Sequence, residues 1–203
     1  MPTRAARVAI IAFAFVAVVV GAYRDWLERP VERGPGVLVS EEPEQTDLKS
    51  DAPTFHLGEY EIAAEAAFHF RARLLGRERY HFHREADLSP VDFAIGWGPM
   101  SDSAILSQME MRQGSRYFQL RWRTAPLAPD VIFDHLANVH VIPADATVAR
   151  AVDRMRVGEI VELDGYLVRA SAPDGWSWKS SLTRTDRGAG ACELMWVQQA
   201  RSR

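Results

Sequence analysis

WSWKSSLTRTDRGAGACELMW, residues 176–196, gathers three serines, a lysine, two arginines, an aspartate and the chain's single cysteine. A nucleophilic cysteine needs a lowered pKa, partial exposure and a base within hydrogen-bond reach. Cys192 could take that role with His140 or His135 as base. Its spacing with Leu194 and Trp196 instead places it on the apolar face of a terminal strand, as a small buried hydrophobe. Lys179 and Ser180 have the residue types of a serine–lysine dyad. Neighbours on a strand point to opposite faces, so they cannot pair directly. Ser181 shares Lys179's face but lies further along the strand. A hydrolase using Cys192, or Ser180 or Ser181, with His140 is therefore the alternative expectation, and a non-catalytic hairpin is the leading one.

The loop within this stretch, TRTDRGAG (Thr183–Gly190), could form an anion nest from Arg184, Arg187 and backbone N–H groups. Turn chemistry, with Asp186 pairing to an arginine or closing an Asx turn, is the favoured account. Among the six histidines, His81 and His83 lie two apart and His135 and His140 form a second pair. A zinc site needs three or four converging ligands, and neither a cysteine pair nor HExxH is present, so no metal and no cofactor is expected. Further ligand-surface candidates are Trp97 and Asp102 of the WGPMSD block, Tyr117, Arg121 and Arg123 on a predicted strand, Asn138 beside His140, and Arg184 with Asp186. Trp97 could equally plug one end of a core.

These residues need elements to hold them. The N-terminus offers MPTRAAR and then an uncharged apolar run, Val8–Tyr23. Sixteen helical residues span roughly 24 Å, a little short of the ~30 Å hydrocarbon core. Arg7 and Arg24 could snorkel, and Trp26 could sit at the interface. An uncleaved single-pass anchor with a cytoplasmic N-terminus is favoured over a cleaved signal peptide, which Val20-Gly21-Ala22 would permit. Residues 1–27 are thus expected to anchor the chain. Residues 28–54, with four prolines and an acidic cluster of Glu41, Glu42, Glu44, Asp47 and Asp51, are expected to be a flexible tether. The folded domain is placed at 55–199.

Within that domain Tyr60–Leu74 alternates apolar and polar residues, which predicts a long, bent strand. LSPVDFAIGWGPMSD carries two prolines and two glycines and predicts a helical turn around Pro90–Ala94, then a loop. Ile105–Met111 and Tyr117–Arg123 flank Gln113–Ser115 as a hairpin, with Phe118, Leu120 and Trp122 inward. A short helix is expected at Asp130–Asn138 and a firmer one at Asp145–Met155, where Val148, Val152 and Met155 share a face. Val157–Val168, Trp176–Ser181 and Ala191–Val197 complete the strands, with Gly158 as helix stop and Gly165 as a bend.

Antiparallel strands with one helix between the third and fourth predict a mainly β (α+β) domain, a five-stranded OB-like barrel behind a transmembrane helix. Arg156–Val168 resembles the strand after the helix in many OB domains. The blocks LSPVDFAIGWGPMSD, ANVHVIPA and SSLTRTDRGAGACE, and the chain from about Glu59 to Val197, resemble a group of bacterial envelope proteins that carry an N-terminal apolar segment. That resemblance implies an extracytoplasmic, periplasmic setting and no established activity, so it transfers no catalytic residues. OB faces commonly bind oligonucleotides or oligosaccharides. A net charge of −3 argues against a nucleic-acid partner. The expectation is a binding or assembly module for an envelope protein or a glycan, with a nucleic-acid binder as the reading if the domain is cytoplasmic.

Overall fold

The alternation of apolar and polar residues after Tyr60 produces one very long strand, and the rest of the domain is arranged around it. A computed structural model describes residues 4–49, 51–188 and 190–203, with side chains described from Ile11 onward except those of Arg24 and Leu27. The elements in chain order are α1 (Arg4–Glu28), β1 (Glu44–Asp47), β2 (Thr54–Leu57), β3 (Tyr60–Arg79), α2 (Arg84–Leu88) and β4 (Val91–Gly96). After a 3₁₀ turn at Gly98–Ser101 come α3 (Ser103–Leu106), β5 (Met109–Gly114), β6 (Tyr117–Trp122), α4 (Pro129–Asp134) and β7 (Leu136–Pro143). The chain ends with α5 (Ala146–Arg154), β8 (Ile160–Ser171), β9 (Ser177–Lys179) and β10 (Glu193–Ser202). Strand accounts for 42% of residues against 23% helix, so the protein is mainly β.

Five strands close into a ring in which β3 pairs with β4, β4 with β7, β7 with β10, β10 with β8, and β8 again with β3. All these pairings are antiparallel except β7 with β10, which is parallel and corrects the all-antiparallel expectation. The long strand is bent as predicted, with register shifts at Ala64/Ala66 against β8 and at Leu74/Gly76 against β4. Its even-numbered residues from Ala66 to Leu74 fill the ring interior with Phe93, Ile95, Val139, Val141, Leu163 and Met195. Beyond the first bulge, Tyr60 and Ile62 join a second cluster with Leu194 and Trp196. Gly165 sits where β8 crosses close to β10: a Cβ there would lie 1.9 Å from the Trp196 carbonyl oxygen, so only glycine fits.

α5 forms at the residues expected, but the third ring strand, which precedes it, is β7 and not Tyr117–Arg123. Asp145 caps it by accepting from the Thr147 and Val148 N–H groups, and Val148, Val152 and Met155 are buried against the interior. Val91–Gly96 is a ring strand rather than a helical turn. All six of its residues are buried, Asp92 included, so both faces are covered and the regular apolar–polar alternation of a half-buried strand is lost. The helix expected to reach Asn138 stops at Asp134, and β7 starts at Leu136 for the same reason.

The predicted hairpin exists, but β5 and β6 form a separate two-stranded sheet outside the ring. Phe118, Leu120 and Trp122 face inward as expected, onto a small cluster with Met100, Ile132 and Leu136. Its turn places Ser115 at φ 51° and Arg116 at φ 69°, the two positive values of a type I′ hairpin.

Residues 28–54 are not a free tether. Val39 is buried in the main core, its carbonyl accepts from Gly98 N–H, and β1 and β2 both pair with β3. Ser101 Oγ accepts from Leu38 N and Val39 N at 3.0 and 3.1 Å. The prolines and acids that suggested disorder are exposed, for the most part, around these few docking points.

The apolar side chains of α1 from Ile11 to Val20 are exposed on all sides of the helix. At its far end the Arg156 guanidinium lies 4.0 Å over the Trp26 ring. Among the described residues no helix is long and apolar enough to cross a membrane. The side chains of Arg7, Val8–Ile10 and Arg24, which the anchor expectation uses, lie outside the described residues.

Candidate ligand cleft

A cleft of about 1220 Å³ opens between the hairpin, β7, β9 and the loop that leads into β10. Behind the cleft wall formed by Arg116 and His140 lies Asp92. Alternation on β4 turns Val91, Phe93 and Ile95 into the ring and Asp92 out of it, where β7 places His140 directly opposite. Asp92 is fully buried, and its Oδ1 lies 2.8 Å from Arg116 Nη1 and 2.9 Å from His140 Nδ1. The Arg116 contact is a hydrogen bond; the His140 contact is a close approach without hydrogen-bond alignment. The left-handed hairpin turn aims Arg116 inward, where it also donates to the Ser89 carbonyl at 2.8 Å.

Two aromatic rings complete this wall. The Arg116 guanidinium lies 3.8 Å over Tyr80 and 5.5 Å from Trp178, and His140 packs 4.7 Å from Trp178. Arg116 N–H also donates to the Tyr80 hydroxyl, whose pKa burial pushes up to about 12. Asn138 is held by its neighbours: it accepts from Gln113 Nε2 at 3.0 Å and donates to the Arg116 carbonyl at 3.2 Å.

The opposite wall contains Arg184 and Glu193. Glu193 points into the ring, and burial pushes its carboxyl up to about 8. Arg184 donates to the Pro43 carbonyl and lies 5.4 Å from the Trp97 ring; loss of solvent lowers its pKa. Arg187 pairs with Asp134 and reaches over Phe133.

Of the residues singled out by sequence, Tyr117, Asn138, His140, Arg184 and Asp186 line this one cleft, with Cys192. Trp97 does not present a rim. It is fully buried at the end of the ring opposite α5, the plug that its sequence setting also allowed. Asp102 caps α3 and accepts from Gly36 N–H, so it fastens the N-terminal segment. Arg121 and Arg123 are exposed and do not line the cleft. Sequence reasoning missed Asp92, Arg116, Tyr80, Trp178 and Glu193. Asp92 did leave a signal, as the one charge in the apolar run VDFAIG.

The nucleophile candidates are committed elsewhere. Ser180 Oγ donates to the Ser181 carbonyl and accepts from Leu194 N–H. Ser181 Oγ donates to Asp186 Oδ2 at 2.6 Å and accepts from Thr183 N–H. The Cys192 thiol is half-buried, and burial next to Glu193 raises its pKa to about 11. It accepts from Asn138 Nδ2 at 3.6 Å, and no hydrogen bond joins any of the three to His140 among the described residues. His81 and His83 lie in an exposed loop, and His135 bonds to the Val131 carbonyl. Among the described residues no group of three or more His, Cys, Asp or Glu side chains could hold a metal ion.

Comparison of the chain with protein-family models, with curated proteins and with solved structures finds no match in any of the three. Function therefore rests on the site itself.

Proposed function

We propose that the protein is a non-catalytic binding module of the bacterial envelope, anchored to the inner membrane by α1, with an OB-like barrel outside the cytoplasm. The cleft is its ligand site. One observation carries the reading: a sealed carboxyl, Asp92, holds Arg116 by a hydrogen bond and lies against His140 on the wall of a large cleft, while every candidate nucleophile is hydrogen-bonded into a loop or made less acidic. Catalysis by Cys192 would need the opposite shift, toward a thiolate near neutral pH. Binding needs only donors and aromatic faces held in place.

The barrel assignment is supported by the ring's strand order, by the single parallel contact, and by the position of α5 between the third and fourth ring strands. The anchor is supported by apolar side chains exposed all round α1, which a bilayer would cover. The test is a C-terminal reporter active only outside the cytoplasm, sized against the uncut chain. Activity at full length is the expected result. A silent but stable fusion would place the domain in the cytoplasm and overturn the envelope reading.

A further inference from the structure

β9 is the last strand of its sheet and, among the described residues, is paired with β8 alone; just past it, Ser181 N–H donates to the Cys192 carbonyl at 3.0 Å, so the open edge is Ser177 to Lys179. Ala172 N–H donates to the Trp176 carbonyl and Ser180 N–H to the Val168 carbonyl, at 3.0 and 2.9 Å. In an antiparallel ladder bonded pairs alternate with unbonded ones. Residues 176, 178 and 180 therefore turn their backbone groups toward β8, and Ser177 and Lys179 turn theirs away. Neither Ser177 nor Lys179 has another backbone partner among the described residues. Both line the cleft. A free row of N–H and C=O groups is a template for a further strand, and proteins ordinarily blunt such edges unless they use them.

The side chains around this edge indicate the partner. The Lys179 ammonium, exposed on the edge strand itself, has no ion pair or hydrogen bond among the described residues; Glu85 and Asp130, which also line the cleft without an ion pair, stand on α2 and α4 rather than on this edge. Arg116, held by Asp92, and His140 flank Trp178 on the same wall. The cleft, at about 1220 Å³, exceeds the roughly 300–1,000 Å³ typical of small-molecule sites. Donors at the edge strand and a volume suited to a chain favour a peptide over a compact ligand.

We infer that the cleft receives an extended peptide segment bearing a carboxylate, which adds as a strand to the free edge of β9 and sets its carboxylate against Lys179. This rests on the binding-module reading and names the partner class for the same site. Specificity then comes from side chains alternating between the Trp178 wall and solvent, and affinity from the main-chain bonds of Ser177 and Lys179.

The experiment selects a displayed library of random dodecapeptides on the full-length protein in detergent micelles. Selected peptides should be enriched in Asp and Glu flanked by strand-forming residues. In complex with the best of them, amide exchange at Ser177 and Lys179 should slow by at least about tenfold, because those N–H groups become bonded. Lys179→Glu should weaken that peptide about tenfold by turning attraction into repulsion, with an unchanged melting temperature. Failure to select any peptide, peptides without acidic bias, or binding that leaves the two amides unprotected would each overturn the inference. Chitohexaose binding in the absence of peptide binding would overturn it too, yet leave the cleft as a ligand site. The reporter fusion tests the envelope reading separately.

Discussion

Asp92 and His140 face each other across β4 and β7 with Oδ1 2.9 Å from Nδ1, and the carboxyl is wholly sealed from solvent. The same oxygen holds Arg116, so one buried group fastens the hairpin sheet to the ring and fixes the cleft wall. Removing one partner of a buried pair leaves the other uncompensated, and that costs more than the pair's net worth. Asp92→Ala should destabilise the fold by about 3–5 kcal/mol. Asp92→Asn keeps an acceptor for Arg116 and should cost about 1–3 kcal/mol. Urea unfolding of both variants checks the order; an Ala variant as stable as the parent would mean the contact contributes nothing.

Glu193 makes stability fall as pH rises. Its folded carboxyl titrates near 8 because it is buried, whereas an ordinary one titrates near 4.5. Between those values the folded state holds a proton that the unfolded state has released. Stability from this group is full below about pH 4.5, declines through the window, and levels off above about 8. The slope is at most about 1.4 kcal/mol per pH unit. Glu193→Gln should flatten that decline and be more stable than the parent at pH 9. Parallel unfolding curves for the two proteins from pH 5 to 9 would show that the carboxyl is not buried in solution.

Cys192 should be a slow thiol. Burial beside Glu193 raises its pKa to about 11, so only a minute fraction is thiolate at neutral pH. Iodoacetamide at pH 7.5 should label the native protein far more slowly than the urea-unfolded chain. Labelling of the folded protein at the unfolded rate would restore the cysteine hydrolase reading.

What the sequence disclosed depended on how each residue is buried. Tyr60–Leu74 announced itself by period two because one face is core and the other is only half-covered. α5 did so through Asp145 and the spacing of Val148, Val152 and Met155. Val91–Gly96 and Leu136–Pro143 gave no such signal, since covering both faces erases alternation, and Pro90 with Gly96 mimicked a loop. The cleft was legible only as residue types. Asn138 and His140 were singled out together, but Asp92, which faces His140, lies 48 positions earlier (140 − 92), on a strand not recognised as one. Arg116 was hidden for another reason: its role comes from a positive φ that arginine seldom adopts.

The docked N-terminal segment yields the last prediction. Val31 N–H donates to the Val157 carbonyl at 2.7 Å, Arg33 reaches the Gly158 and Arg203 carbonyls, and Ser101 Oγ receives both Leu38 and Val39 N–H. Gly158 has φ +91°, and a Cβ on it would lie 2.0 Å from the Val31 carbonyl oxygen. Gly158→Ala should therefore strain its own backbone and push the segment off at that point. Ser101→Ala acts at the other attachment, leaving the buried Val39 N–H without its acceptor at a cost of about 1–3 kcal/mol. Each substitution should speed amide exchange at Val31, Leu38 and Val39 while β7 and β10 keep their protection, because a segment held at a few points opens without the ring. Trypsin should then cut after Arg33 sooner than in the parent. Exchange that quickens equally in β7 would show that the segment and the ring unfold as one unit.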